Sequence, residues 1–338
     1  MSKTSVGKLR GMESSLQNFK FAQFQFSLKA LEFLNLPEYK GSALRGGFGY
    51  AFKKVVCALK SKECPECLLR EKCVYSYIFE TPPPPTSRLM RKYTAAPHPF
   101  VLCPPLEDDR VYEPNEVLQF HLTLIGKAID YLPYFIYTFE ELGEMGLGKG
   151  RGKFAIEKVE AIRTAERSKA GEKEKTVIYS GKEKILRNLD NILIYWNHQS
   201  FAPAPPTLHL IFLTPTRLKF EGDLTSDLKF HILFRNLLRR ISLLSYFHCG
   251  EELEVDFRGL IKESEAIQTK KSNLRWYDWE RYSGRQDTRM KLGGFIGRVT
   301  FSGALDSFWP YLSLGEFIHV GKGSSFGLGK YEILRNSP

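Results

Sequence analysis

Hydrophobic and polar residues alternate along Phe19–Leu31, where Phe19, Phe21, Phe24, Phe26 and Leu28 stand among polar neighbours; a period of two predicts a strand. The period then changes. In Gly41–Leu59, Leu44, Phe48, Phe52, Val55, Val56 and Leu59 recur at three- and four-residue spacing and predict a helix. Val74–Glu80 is expected as a strand, Pro82–Pro85 breaks regular structure, and Phe100–Leu102 and Val117–Ile125 are further expected strands. Ala128–Leu142 predicts a helix with an aromatic face and Phe154–Ile162 a strand. The charged stretch Arg163–Lys175 suits a solvated hairpin tip, Ile185–Trp196 a short helix, and Phe201–Pro206 a Pro-rich linker. Beyond the linker come a strand (Thr207–Thr214), a long amphipathic helix (Leu224–His248), strands at Leu253–Leu260 and Phe295–Phe301, a helix (Leu305–Phe317) and a last strand (Lys330–Leu334). Each half thus follows the order β–α–β–β–α–β. This predicts an α+β protein of two tandem ferredoxin-like (RRM-like) domains, 19–200 and 207–338, joined by linker 201–206 and preceded by a basic tail, 1–18.

A repeat supports the two-part division. Gly146-Leu147-Gly148-Lys149-Gly150-Arg151-Gly152-Lys153-Phe154 and Gly323-Ser324-Ser325-Phe326-Gly327-Leu328-Gly329-Lys330-Tyr331 are offset by 327 − 150 = 177 residues. At that one offset Gly146/Gly323, Gly150/Gly327, Gly152/Gly329, Lys153/Lys330 and Ile156/Ile333 coincide, and upstream so do Pro133/Pro310, Tyr134/Tyr311, Gly126/Gly303 and Thr123/Thr300. An ungapped match across strand, helix, loop and strand indicates two copies of one supersecondary unit.

The formal charge of +11 and pI of about 9.2 favour a polyanionic partner, which releases counterions when basic side chains replace them. No apolar run approaches membrane-spanning length, and the N-terminal residues lack the apolar core of a signal peptide, so a cytoplasmic protein without a membrane partner is expected. The glycines of the two loops let backbone N–H groups approach phosphates, with Lys149, Arg151 and Lys153 in the first loop and Lys322, Ser324, Ser325 and Lys330 in the second as side-chain donors. Neither loop has a Walker spacing, and each runs into a strand instead of opening a helix, which argues against a nucleotide site. Between Arg275 and Arg289, basic and aromatic residues mix, and Arg281, Arg285 and Gln286 are further candidates for RNA contact.

Four of the six cysteines fall in one short insertion, 57–73, as Cys57-x6-Cys64-x2-Cys67-x5-Cys73. Four thiolates suit a structural zinc ion in the first domain, and they equally suit a 4Fe-4S cluster. Cys103 and Cys249 stand apart and are expected as buried thiols.

The C-terminal run His319-Val320-Gly321-Lys322-Gly323-Ser324-Ser325-Phe326-Gly327-Leu328-Gly329-Lys330-Tyr331, together with Asp278–Gln286 and Met290–Gly297, resembles the RAMP superfamily of CRISPR-associated proteins. Within it the chain is most similar to the endoribonucleases that cut precursor CRISPR RNA within its repeats. The resemblance spans nearly the whole chain. It implies binding of CRISPR repeat RNA, cleavage without a catalytic cofactor, and interference-complex subunits as a further partner class. Attack by the neighbouring 2′-OH would leave a 2′,3′-cyclic phosphate and a 5′-OH, which needs a base, an acid and a cation at the phosphorane. The family often places a histidine on the first helix, but Gly41–Leu59 has none. Tyr50 and Lys53 on that helix and His98 on a Pro-rich loop are the candidate catalytic residues, with His231 next in line. The competing function is a non-catalytic RAMP subunit that binds CRISPR RNA in an interference complex; a basic α+β protein that binds no RNA is a third.

Overall fold

A computed structural model describes residues 16–60, 63–164, 173–187, 189, 194–195, 204–283 and 288–335. The chain divides into two compact units. The first comprises Lys20–Ile194 with Phe247–Gly250, and the second comprises Tyr195–Tyr246 and Glu251–Pro338 with Met1–Phe19. Of the expected N-terminal tail, residues 1–15 lie outside the described residues, and Leu16 is buried rather than solvated.

In the first unit the elements are β1 (Lys20–Ala30), α1 (Lys40–Val56), β2 (Phe100–Cys103), β3 (Val117–Ile125), α2 (Leu132–Met145), β4 (Phe154–Thr164) and β5 (Lys173–Ser180). The strands lie in the order β2-β3-β1-β4-β5, all neighbours antiparallel. Alternation along β1 drives Phe24, Phe26 and Leu28 into the core, where the Phe26 ring stacks on Phe120 at 5.0 Å. The helical period of α1 does the same for Leu44, Phe48 and Phe52, and Phe48 stacks on Phe135 of α2 at 4.8 Å.

Two expectations fail in this unit. Val74–Glu80 is not a strand: Ser76–Glu80 forms a π-helical turn, the Tyr77 N–H bonds to the Cys73 carbonyl (2.9 Å), and Tyr75 stacks on Phe79 four residues on (5.4 Å). That i,i+4 aromatic pair reads equally well as alternation in so short a run. The described residues of 185–196 do not form the expected helix; they include two short strands, Ile185–Leu186 and Ile194–Tyr195.

The second unit contains β6 (Thr207–Thr216), α3 (Phe230–Leu244), α4 (Phe257–Ser264), β7 (Gln268–Tyr277), β8 (Gly294–Ser302), α5 (Trp309–Ile318) and β9 (Tyr331–Ile333). Its sheet order is β7-β8-β6-β9, again antiparallel. Leu253–Leu260 has the pattern of a strand, yet Asp256 caps a helix there by accepting the Gly259 N–H (2.9 Å). The long helix starts later than its pattern predicts because Asp223–Thr225 pairs with Leu218–Phe220 in a hairpin. β7 escapes the hydrophobic pattern because it is an edge strand, mostly polar and exposed along its length.

Numbered within each unit, the four strands of the β–α–β–β–α–β order lie as 4-1-3-2 in both sheets. The sequence repeat is realised to the residue: 294 − 117, 309 − 132 and 331 − 154 all equal 177, for the starts of the third strand, the second helix and the fourth strand. Among the described residues no helix is long and apolar enough to cross a membrane.

Candidate functional site

The loop between α5 and β9 is shaped by glycines. Gly321, Gly323, Gly327 and Gly329 have φ of 83°, 78°, 86° and 73°, a region that side chains disfavour. At Gly329 a Cβ would lie 1.8 Å from the Val320 carbonyl oxygen, so only glycine fits. Much of the loop's hydrogen bonding is internal or goes to the end of β6. Val320 N–H bonds to Gly329 O (3.0 Å), Gly329 N–H to Pro215 O (3.1 Å) and Lys322 N–H to Arg217 O (3.0 Å). The Thr214 hydroxyl donates to Gly327 O (2.8 Å) and accepts from Lys330 N–H (2.9 Å).

His319 and Arg240 support this loop from beneath. His319 is buried, and its Nδ1–H donates to Leu328 O (3.2 Å). Burial first, and then the Lys330 charge, lower its pKa to about 3, so the ring is neutral. The buried Arg240 guanidinium donates to the carbonyls of Ile318 (2.9 Å) and His319 (3.1 Å), closing the C-terminus of α5. Ser324 and Ser325 are each 5% exposed, which removes their hydroxyls from the surface role expected of them. Lys322 is exposed, while Lys330 is half-buried and pairs with Glu332 at 3.7 Å.

The loop between α2 and β4 shares two positive-φ glycine positions with it and differs in exposure. Gly146 and Gly150 have φ of 79° and 87°, against 78° and 86° at Gly323 and Gly327. Here Lys149, Arg151 and Lys153 are all exposed. The backbone is pinned by Lys149 N–H to Asn35 O (2.8 Å) and by Lys153 N–H to the Glu32 carboxylate (3.1 Å), while the Lys153 ammonium lies 3.9 Å from Glu144. Of the remaining RNA candidates, Arg281 lies on a short strand, Glu280–Ser283, paired with Thr288–Lys291; Arg285 and Gln286 lie outside the described residues.

The three candidate catalytic residues do not converge equally. His98 is half-buried between Phe79 and Phe100, with ring centroids 6.2 and 5.8 Å away. Its Nε2 meets Arg45 Nη2 at 3.2 Å and its Nδ1 meets Thr81 Oγ1 at 2.9 Å. The Thr81 hydroxyl donates its one proton to Ala96 O (2.9 Å), so it accepts from His98 Nδ1–H, and Nε2 is left as the acceptor for Arg45. Thr81 holds this position from a left-handed backbone, φ 47° and ψ 47°.

Arg45 also lies over the Phe79 ring (4.3 Å), and Lys53, two turns on, over the Tyr75 ring (5.9 Å). Gly49 between them lets Phe79 abut α1, since a Cβ there would lie 2.2 Å from the ring. Tyr50 is 65% exposed and about 140° round the helix from Arg45, at ~100° per residue, so it does not share the His98 side. Nothing in the spacing of Arg45 points to His98, 53 residues on. His231 stands on α3, its ring edge-on to Phe220 at 5.5 Å, with burial lowering its pKa.

The structure gives the cysteine expectation no support. Among the described residues no three His, Cys, Asp or Glu side chains come together as metal ligands. Cys57 ends α1, Cys64 and Cys67 flank one 3-10 turn (Cys67 N–H to Cys64 O, 3.3 Å), and Cys73 begins the turn of Tyr77. The four are half-buried thiols, and Cys64, whose pKa is raised first by burial, also feels Cys57 and Cys73. Among the described residues the expected zinc ion or 4Fe-4S cluster thus finds no assembled ligand set, and Cys57, Cys64, Cys67 and Cys73 remain ligands expected from the sequence alone.

Comparison with known proteins gives two family matches. Residues 19–191 match the family AF_1859_N, described as an N-terminal domain, and residues 210–331 match the CRISPR-associated endoribonuclease Cas6. An uncharacterized protein of Archaeoglobus fulgidus is 26% identical over 305 residues, 88% of this chain and 93% of that one. Among solved structures, Thermus thermophilus Cas6 aligns with a TM-score of 0.52 at 16% identity, covering 94% of this chain and 99% of that one. A Cas6 product complex aligns with a TM-score of 0.56 at 17% identity, covering 93% and 100%. A partial Cas6-RT-Cas1–Cas2 complex aligns with a TM-score of 0.55 at 13% identity, covering 94% of this chain and 46% of that chain.

Proposed function

The chain belongs to the CRISPR-associated Cas6 proteins of the RAMP superfamily, and from that premise we propose that it is an endoribonuclease that binds the repeat RNA of a precursor CRISPR transcript and cuts it to mature guide RNA. The two units with strand order 4-1-3-2 are read as ferredoxin-like domains. RNA is the partner that suits the +11 charge and the exposed Lys149, Arg151, Lys153 and Lys322.

The hydrogen bond between Arg45 and His98 carries the catalytic reading. A neutral His98 has the lone pair a base needs at Nε2, and Arg45 occupies it. A scissile phosphate that draws Arg45 away would uncover that lone pair at the moment a 2′-OH arrives. The 2′ oxygen then attacks phosphorus as its proton passes to Nε2, the P–O5′ bond breaks, and the 5′ oxygen takes a proton from the His98 imidazolium. Arg45 and Lys53 balance the phosphorane charge. The products are a 2′,3′-cyclic phosphate and a 5′-OH, formed without an activated water or a metal ion.

The test is single-turnover cleavage of cognate repeat RNA in EDTA. Wild type should cut, and His98→Ala and Arg45→Ala should cut at least about tenfold more slowly, a floor below the usual range for a positioned acid–base group, while binding persists. If wild type binds the repeat and never cuts it, the protein is an RNA-binding subunit, a reading to which the absence of a histidine on α1 gives some weight.

A further inference from the structure

The second unit carries cations that the motifs did not single out. Where β6 ends, Arg217 leads into the hairpin of Leu218–Phe220 and Asp223–Thr225. The Gly-rich loop lies flat against this segment: Lys322 N–H bonds to Arg217 O at 3.0 Å, and a Cβ on Gly321 would lie 2.5 Å from that same oxygen. The hairpin is tied in turn to α3, because Asn236 donates its side-chain amide to Lys219 O at 3.2 Å. One turn of α3 sets Arg235 beside it, with the guanidinium 5.9 Å from the Phe220 ring. Three separate segments thus bring Lys322, Arg217, Lys219 and Arg235 into one neighbourhood, with the half-buried Phe220 ring beside Arg235.

Three of these charges carry no counter-ion among the described residues. Lys219, Lys322 and Arg235 are exposed, and among the described residues none of the three forms an ion pair. The Lys322 ammonium feels its neighbours: after burial, the charges of Lys219 and Arg217 lower its pKa. Like charges fixed side by side on backbone-bonded segments repel, and a polyanion laid across them removes that repulsion. A free anion would satisfy one or two of them. A nucleic-acid backbone, with one phosphate per nucleotide, matches a row.

We propose that Lys322, Arg217, Lys219 and Arg235 form a continuous phosphate track that carries the RNA backbone from the Gly-rich loop across the 218–225 hairpin to α3, with Phe220 as a stacking surface beside it. The proposal rests on the RNA-processing reading for the identity of the RNA. The track itself reads phosphates and not bases.

The experiment measures Kd against KCl for cognate repeat RNA and for an unrelated hairpin RNA, using the full chain. Lys219→Gln/Arg235→Gln removes two exposed charges; Lys175→Gln/Lys182→Gln removes the same charge from the first unit. Thermal melting confirms that both variants fold. If the track is right, the slope of log K against log salt falls by about 0.7–0.9 for each phosphate that the variant no longer neutralises. Kd should rise about tenfold, and the first-unit control should change neither quantity. If wild type binds the repeat but the track variant matches it or the control, the track is refuted and the processing function stands. If repeat and unrelated RNA bind alike and the track variant weakens both, the track stands and the CRISPR reading falls. If wild type binds neither RNA, both are refuted.

Discussion

His319 should make this protein sensitive to mild acid through a single buried ring. The imidazole is 3% exposed beneath the Gly-rich loop and donates Nδ1–H to Leu328 O. Its pKa falls from an ordinary 6.5 to about 3 in the folded chain, first through burial and then through the Lys330 charge. Below pH 6.5 the unfolded chain takes up a proton there that the folded chain refuses. The sign is therefore that stability is fully present above about pH 6.5 and is lost as pH falls toward 3. Between pH 7 and pH 5 the loss from this one group is about 2 kcal/mol, from 1.36 kcal/mol per pH unit over most of that interval. Against a typical total of about 5–15 kcal/mol such a loss is easily seen.

The assay is urea unfolding at pH 7 and pH 5 for wild type and His319→Asn. Asparagine keeps an amide donor for Leu328 O, does not titrate, and tolerates positive φ better than most residues, which matters at φ 62°. Carboxylates that titrate in the same range are common to both proteins and cancel in the comparison. Wild type should lose about 2 kcal/mol more than the variant across this interval. Equal losses in the two proteins would refute the reasoning, because His319 would then titrate alike folded and unfolded.

Two further outcomes follow from local geometry. Gly329→Ala, with φ 73° and a Cβ 1.8 Å from Val320 O, should destabilise by roughly 3 kcal/mol or more. Gly150→Ala, with φ 87° but no atom within 4 Å of its Cβ, should cost only about 1–2 kcal/mol; thermal melting ranks the two, and an equal cost would show that packing does not matter. Thr81→Val keeps the side-chain shape while removing the partner of His98 Nδ1, so repeat-RNA cleavage should fall about tenfold and its pH–rate profile should shift, with RNA affinity unchanged. An unaltered pH profile would leave Thr81 with packing alone.

The legible parts of this chain are those where burial alternates or recurs cleanly. Phe24, Phe26 and Leu28 announce β1, and Leu44, Phe48 and Phe52 announce α1, because each set has one buried face. The fixed offset of 177 is legible for the same reason that it persists: Gly146/Gly323 and Gly150/Gly327 adopt positive φ that other residues resist. β7 is illegible because an exposed edge strand of Lys270, Lys271, Ser272 and Asn273 needs no apolar face; its order comes from pairing with β8. Val74–Glu80 misleads because a seven-residue aromatic run fits either period. At the candidate site, His98 can be nominated as an exposed titratable ring, but its meeting with Arg45 and Thr81 is made by folding together residues 53 and 17 positions away, and local pattern carries no trace of that.

The backbone bonding of the α5–β9 loop bears on how tightly RNA could be held there. Thr214, Pro215 and Arg217 bind its backbone, and Arg240 and His319 fill the space below. Such a segment arrives at a ligand already ordered, so little chain entropy remains to be lost on binding, and more of each lysine–phosphate attraction survives as affinity. A loop of free glycines with the same lysines would surrender much of that attraction to immobilisation.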